Sequence, residues 1–235
     1  MNKTIGILGG MGPAATADLM QKIIQMTDAG SDQEHIPMLI DCNTRIPDRT
    51  AAILNGGEDP VPEMLAAAHR LEIAGADFII MPCNTAHYFI PELEREISIP
   101  ILNMPEETAH VLMAKGVKTA AVLATDGTCR SGLYEKALTS EGIGTIYPQE
   151  EEQEKIMSLI YEYIKHGVTD PDELPVKAIS DIADNCRLRG AEALLLACTE
   201  LPLAFSYMNL YKDDCYDPTR ILAAAAIKEA GAVIR

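Results

Sequence analysis

The sequence repeats itself at an offset of 115 residues. Gly75-Ala76-Asp77-Phe78-Ile79-Ile80-Met81-Pro82-Cys83-Asn84-Thr85 is echoed by Gly190-Ala191-Glu192-Ala193-Leu194-Leu195-Leu196-Ala197-Cys198-Thr199-Glu200. Each copy reads as a glycine that stops a helix, an apolar run suited to a buried strand, and a cysteine where that strand ends. Lys3-Thr4-Ile5-Gly6-Ile7-Leu8-Gly9-Gly10-Met11-Gly12 lies over Lys118-Thr119-Ala120-Ala121-Val122-Leu123-Ala124-Thr125-Asp126-Gly127 at the same offset. A duplicated strand–helix alternation implies right-handed parallel crossovers, so the expected α/β fold has two pseudo-symmetric lobes, each a doubly wound parallel sheet. Open parallel sheets put ligands at the carboxyl ends of their strands. Each lobe then offers one thiol at that edge, and the expected active site is the cleft between the lobes.

Hydrophobic periodicity predicts strands over 4–8, 38–41, 78–81 and 100–103, with helices over 14–27, 62–74, 91–97 and 106–115. The second half predicts strands over 119–124, 145–147, 193–197 and 215–217, with helices over 131–140, 151–166, 174–189 and 218–230. The last strand and helix are placed with the first lobe. The expected domains are therefore 1–103 plus 214–235, carrying Cys83, and 104–213, carrying Cys198. The acidic stretch Glu150-Glu151-Glu152-Gln153-Glu154 suits a helix's first turn and reads as a solvated face.

Composition narrows the partners. A net charge of −16 repels phosphate backbones and anionic membrane surfaces, which argues against nucleic acid and against membrane association. The chain enters a strand pattern within three residues, without a basic-then-apolar leader, and no apolar run nears the roughly 20 residues of a membrane span. Six cysteines without CxxC pairs fit a reducing compartment with free thiols, so the expected location is cytoplasmic.

Cys83 and Cys198 precede polar residues that open a loop and a helix. Backbone N–H groups there are expected to lower a thiol's pKa from about 8.5. A single buried cysteine is ordinarily structural, but two in equivalent places of a repeat suit one reaction: removal of a proton from one face of a carbon and return of a proton to the other. Cys42, in Cys42-Asn43-Thr44, copies the triplet at Cys83 but has no counterpart in the second half. Cys129, Cys186 and Cys215 also lack partners, and all four are assigned to packing. Asn84, Thr85, Thr125, Thr128 and Thr199 cluster beside the thiols as donors for a carboxylate, or else as helix caps. Arg49 and Lys165 stand at nearly equivalent positions and suggest an anionic ligand group, although Lys165 would also suit a helix C-terminus. The turn Gly10-Met11-Gly12-Pro13-Ala14-Ala15 satisfies G-x-G-x-x-A, yet Pro13 removes an amide that a pyrophosphate would use. The i, i+4 pair Cys83 and His87 lacks further ligands nearby, so no metal site is expected.

Together, Gly9-Gly10-Met11-Gly12-Pro13, Ile46-Pro47-Asp48-Arg49-Thr50, Pro82-Cys83-Asn84-Thr85-Ala86-His87, Leu123-Ala124-Thr125 with Gly127-Thr128, Lys165 and Cys198-Thr199-Glu200 resemble the cofactor-independent aspartate/glutamate racemase superfamily across essentially the whole chain. The aspartate racemase branch fits best. Glutamate racemases would show Asp-Ser in the first turn and His after the second Cys-Thr, where Met11-Gly12 and Glu200 stand. The related arylmalonate decarboxylases keep one thiol of the two. The resemblance implies that Cys83 and Cys198 are catalytic acid/bases, that Asn84, Thr85 and Thr199 hold the α-carboxylate, and that Arg49 and Lys165 engage the substrate's carboxylates. Met11, Gly12, Thr125, Thr128 and Glu200 complete the expected substrate-binding set. It further implies L-/D-aspartate interconversion without cofactor or metal, in a homodimer. Ala197 stands where the family commonly has Gly before the second Cys, and its methyl is expected to narrow the pocket slightly. A racemase accepting glutamate or other amino acids, a dicarboxylate isomerase and a non-catalytic sensor of an acidic metabolite are the rival expectations.

Overall fold

In the computed structural model, which describes residues 3–235, β1 (Ile5–Gly9) is buried along its whole length, as befits a parallel strand covered on both faces. A glycine turn leads into α1 (Pro13–Met26), whose first residue brings the φ that a helix start needs. Next come β2 (Met38–Cys42), α2 (Arg49–Asn55), α3 (Val61–Ile73), β3 (Phe78–Ile80) and the short α4 (Ile90–Leu93). Helix α5 (Met104–Ala114) carries the chain into β4 (Thr119–Ala124), α6 (Asp126–Arg130), α7 (Leu133–Ser140), β5 (Gly144–Ile146) and α8 (Glu150–Ser158). The remainder is α9 (Val176–Leu188), β6 (Ala193–Ala197), α10 (Glu200–Tyr207), β7 (Cys215–Tyr216) and α11 (Pro218–Glu229).

Two parallel sheets result, ordered β2-β1-β3 and β5-β4-β6-β7. Ile101 adds a single parallel bridge to Ile79 at the edge of the first. In the first sheet Ile5, Ile7, Phe78 and Ile80 pack with α1 and α11, while Leu8 and Ile79 pack with α3 on the opposite face. In the second, Ala120, Val122 and Leu195 face α5 and α7, whereas Ala121, Leu123, Leu194 and Leu196 face α8, α9 and α10. Helices thus cover both faces of each sheet, and alternate strand residues feed two aliphatic layers. The repeat is also visible at the helix stops. Gly75 and Gly190 have φ of 96° and 100°, and the next residue's N–H returns to Leu71 and Cys186 respectively.

The compact units divide at Glu107 and at Pro218, so the second spans Thr108–Pro218 and the first resumes with Thr219–Arg235. This corrects the expected placement of the last strand. β7 pairs with β6, Leu194 opposite Cys215, and the Leu194 N–H donates to the Asp214 carbonyl at 2.8 Å. Arg187 fastens Asp214 with bonds of 2.6 and 3.0 Å, so the exposed edge of β6 is closed within its own sheet. Only α11 belongs to the first unit, through Leu222, Ala223, Ala226 and Ile227.

Other departures are local. α2 is absent from the periodicity reading, although Asp48 caps it by accepting the Ala51 N–H at 2.7 Å and Gly56 ends it at φ 62°. The helix expected over 131–140 is α7, which starts only after Gly132 at φ 69°, and the short α6 before it is absent from the periodicity reading. The helix expected over 151–166 stays α-helical only to Ser158, then widens to a π turn at Leu159–Tyr163 and tightens to a 3-10 turn at Ile164–His166. The acidic stretch is not simply a solvated face. Glu152 is buried, accepting the Gln149 N–H at 2.8 Å and an Asn185 amide hydrogen at 2.9 Å.

Candidate functional site

In the first unit, the β1–α1 turn depends on Gly10. Its φ is 93°, and a Cβ there would lie 2.3 Å from the Asn43 backbone. Its N–H donates to the Thr16 hydroxyl at 2.9 Å, and that hydroxyl donates to the Gly12 carbonyl at 3.0 Å. An amide that a phosphate would need is therefore spent inside the turn. Met11 is buried in the same cluster as Ile46, Cys83 and Ala86, while Gly12 is the half-buried N-cap of α1. Arg49 joins this turn to the loop after β2: Nη2 donates to the Met11 carbonyl at 3.2 Å, and Nη1 to the carbonyls of Pro47 at 2.9 Å and Ile46 at 3.3 Å. Arg49 is thereby fixed against the Met11 turn, in the part of the unit whose apolar cluster also holds Cys83. Asn43 belongs there too and is missing from the sequence reading. It is buried, donates to a Glu63 carboxylate oxygen at 2.9 Å and accepts the Arg45 N–H at 3.1 Å. The sequence signal for it is the Cys42-Asn43-Thr44 triplet, which repeats the asparagine that follows Cys83.

Cys83 follows β3 after Met81-Pro82 and is 7% exposed. Asn84 and Thr85 beside it are buried, and Thr85 opens a 3-10 turn, Thr85–Phe89. On that turn His87 reaches back, with Nδ1 2.9 Å from the Cys83 carbonyl. A carbonyl can only accept, so Nδ1 carries the proton. Burial pushes the imidazole down to about 4, against the carbonyls of Cys83, Asn84 and Leu102, which favour its charged form. His87 is consequently neutral near pH 7. The sequence assigns it no role, since its i, i+4 spacing from Cys83 lacks further metal ligands; the structure gives it the backbone of the thiol loop.

In the second unit Cys198 follows β6 directly, and the last β6 residue, Ala197, pairs with Ala124 just before Thr125. Thr125 caps α6, its hydroxyl accepting the Thr128 N–H at 3.4 Å and donating to the Thr128 hydroxyl at 3.2 Å. Gln153, from the acidic stretch, clamps this loop by donating to the Ala124 carbonyl and to an Asp126 carboxylate oxygen, both at 2.9 Å. Lys165 is exposed in the 3-10 turn after the π turn, its ammonium 4.2 Å from the Tyr161 ring centroid. Departures from α-helical winding of this kind often mark functional segments.

Cys198 does not meet the expectation of a lowered pKa. Its Sγ donates to Glu200 Oε2 at 3.0 Å, and the Thr199 hydroxyl donates to the same oxygen at 2.9 Å. Burial, then the charge of Glu200 and its hydrogen bond, push the thiol well up; Lys165 and the Glu200 N–H oppose this and lose. Of the cysteines assigned to packing, Cys186 and Cys215 lie in the core, and burial pushes Cys129 up to about 12. Cys42 does not pack: at the end of an edge strand, it is exposed. Among the described residues no group of three or more His, Cys, Asp or Glu could hold a metal ion, and no helix is long and apolar enough to cross a membrane.

Residues 8–226 match the Asp/Glu/Hydantoin racemase family. The chain belongs to that family. It is 30% identical over 212 residues to the broad specificity amino-acid racemase RacX of Bacillus subtilis (strain 168), covering 87% of this chain and 88% of that protein. The fold is similar to that of Picrophilus torridus aspartate racemase, with TM-score 0.86 and 35% identity over 99% of this chain and 96% of the other. A glutamate racemase of Aquifex aeolicus (strain VF5) is 28% identical over 138 residues, 58% of this chain and 51% of that protein. As a member of the family the chain is a racemase, with the two-sheet α/β fold that its relatives share.

Proposed function

We propose that this racemase interconverts L- and D-aspartate by a two-base mechanism, without pyridoxal phosphate or metal. The observation that carries the reading is the matched pair Cys83 and Cys198, each buried at the carboxyl end of an equivalent strand in the two repeats. One thiolate removes the α-proton while the other sulfur, as thiol, gives its proton to the opposite face. One proton is taken up by the pair and one is delivered, so the pair ends with its proton exchanged between the two sulfurs. The α-C–H is a very weak acid, and the carbanion needs its charge drawn onto the carboxylate by fixed donors. Asn84, Thr85 and Thr199 are the donors for that carboxylate, with Thr125 and Thr128 beside them. Met11 and Gly12 shape the wall near the first thiol, and Arg49 with Lys165 favours an acidic side chain. The similarity to Picrophilus torridus aspartate racemase supports aspartate. That to the broad specificity enzyme supports wider acceptance as the second reading.

The test is incubation of the purified protein with L-aspartate in deuterium oxide, alongside L-glutamate and L-alanine. Deuterium at the α-carbon, coupled to the appearance of D-aspartate, is the expected outcome. Comparable inversion of all three would replace the aspartate assignment with the broad one. Binding of aspartate without exchange would leave a sensor instead.

A further inference from the structure

The repeat matches the two thiols but not the residues two places beyond them. Thr85 and Glu200 occupy the same place, 115 residues apart, and only the second is a carboxylate. Its Oε2 accepts from Cys198 Sγ at 3.0 Å and from the Thr199 hydroxyl at 2.9 Å. We propose that Glu200 is a positioning residue that holds the proton of the unsymmetrical thiol pair on Cys198, making Cys198 the acid and Cys83 the base in the resting enzyme. This rests on the two-thiol reading above and gives Glu200 a role other than contact with the substrate.

Sulfur to carboxylate oxygen at 3.0 Å requires a proton between them, because two anions at that distance repel. The ionisable groups facing Cys198 divide unequally. Glu200 opposes the thiolate; Lys165, from the turn beyond α8, favours it; Tyr134 of α7 is buried, its own pKa is pushed up, and it stays neutral. Lys165 is exposed and screened by water, whereas Glu200 is in direct contact. Leu196, Leu201 and the other apolar neighbours supply no counter-charge. The net effect keeps the proton on sulfur. In the forward step the Cys83 thiolate takes the α-proton and the Cys198 thiol releases its own to carbon. Glu200 then faces a thiolate, a state that the next proton transfer or solvent exchange relieves.

The consequence is a directional bias with a thermodynamic constraint. Enantiomers of a free amino acid are equally stable, so kcat/KM is the same in both directions. The bias must therefore appear as KM and kcat that differ between L and D by one common factor. The enantiomer whose α-hydrogen faces Cys83 has the lower KM.

The primary experiment needs no turnover. In the wild-type protein the rate of iodoacetamide labelling at Cys198, resolved by peptide mass spectrometry, should rise with a midpoint above the ordinary thiol value of about 8.5. In Glu200→Gln, which keeps the shape and removes the charge, the midpoint should fall by on the order of one pH unit or more. Glu200→Asp, which restores the charge, should return it part of the way. Racemisation gives the second readout: KM values for L- and D-aspartate should converge in Glu200→Gln. A wild-type midpoint below about 8, or a Glu200→Gln midpoint equal to or above wild type, overturns the proposal. Because labelling is independent of activity, a chain that failed to racemise aspartate would sink the functional reading while leaving the Glu200 result to be judged on its own.

Discussion

The two thiol loops begin alike and end differently. Both follow a parallel strand beyond a left-handed glycine, and Cys83 and Cys198 are equally buried at 7% exposure. After Cys83 the chain enters a 3-10 turn, and a neutral histidine holds the cysteine's carbonyl. After Cys198 it enters the α-helix α10, and a carboxylate holds the sulfur itself. Duplication therefore sets where each sulfur stands, while the residues after it set what holds each loop. On the proposed two-base mechanism one sulfur starts bare and the other protonated, and this difference between the loops supplies that asymmetry.

The largest effect comes from removing either sulfur. Cys83→Ala and Cys198→Ala should each lower L-to-D inversion of aspartate by on the order of a thousandfold or more, the scale of a lost acid/base group. Each variant keeps one thiol, however, which on the two-base reading faces the α-hydrogen of one enantiomer only. NMR of α-proton loss in deuterium oxide should therefore show slow exchange of opposite enantiomers in the two variants. Inversion within about tenfold of wild type in either one would end the two-thiol mechanism.

How much of this arrangement is legible in the sequence depends on the range of the interactions involved. The positions of both thiols are legible, because a buried parallel strand is a continuous apolar run and its glycine stop sits at a fixed distance. The lobe to which the last strand belongs is not. Cys215 pairs with Leu194 through a choice of open sheet edges, and α11 follows its own apolar face into the first unit. The roles of Asn43 and Gln153 are equally hidden, for each is made by reaching across to another element, Glu63 in one case and Ala124 with Asp126 in the other. Glu152 is an intermediate case. The Gln149-to-Glu152 spacing announces a capping box, but only packing against α9 and Asn185 takes the carboxylate out of water.

The next effect separates the two cations that the sequence treats as equivalents. Arg49 is tied to the carbonyls of Met11, Ile46 and Pro47 and so braces two loops of the first unit; Lys165 is exposed against a tyrosine ring. Lys165→Met should leave thermal stability nearly unchanged while costing on the order of 2–5 kcal/mol in kcat/KM for aspartate, the range for leaving a buried charge unpaired. Arg49→Lys should depress both, because a single ammonium cannot span three carbonyls, with about 1–3 kcal/mol lost from stability through orphaned acceptors. Urea unfolding beside steady-state kinetics separates them. Equal stability losses in both variants, or an undiminished kcat/KM in Lys165→Met, would show that the cations do not divide in this way.

The smallest effect tests the histidine that braces the first thiol loop. The His87 imidazole titrates at 6.5 in an unfolded chain and at about 4 in the folded one, so the unfolded state binds the extra proton between those values. Stability therefore rises with pH across that window: the contribution is complete well above pH 6.5 and is lost as pH falls towards 4. By about pH 5 the loss from this one group is about 2 kcal/mol. His87→Gln keeps an amide donor for the Cys83 carbonyl but cannot titrate. Near neutral pH the variant should be the less stable, because an imidazole that fits its buried site is exchanged for a flexible side chain. Towards about pH 5 the gap should close as the wild type alone bears the cost of keeping a buried imidazole unprotonated. Urea denaturation at half-unit pH intervals measures this directly, and parallel curves for the two proteins would show that His87 is not held neutral by burial.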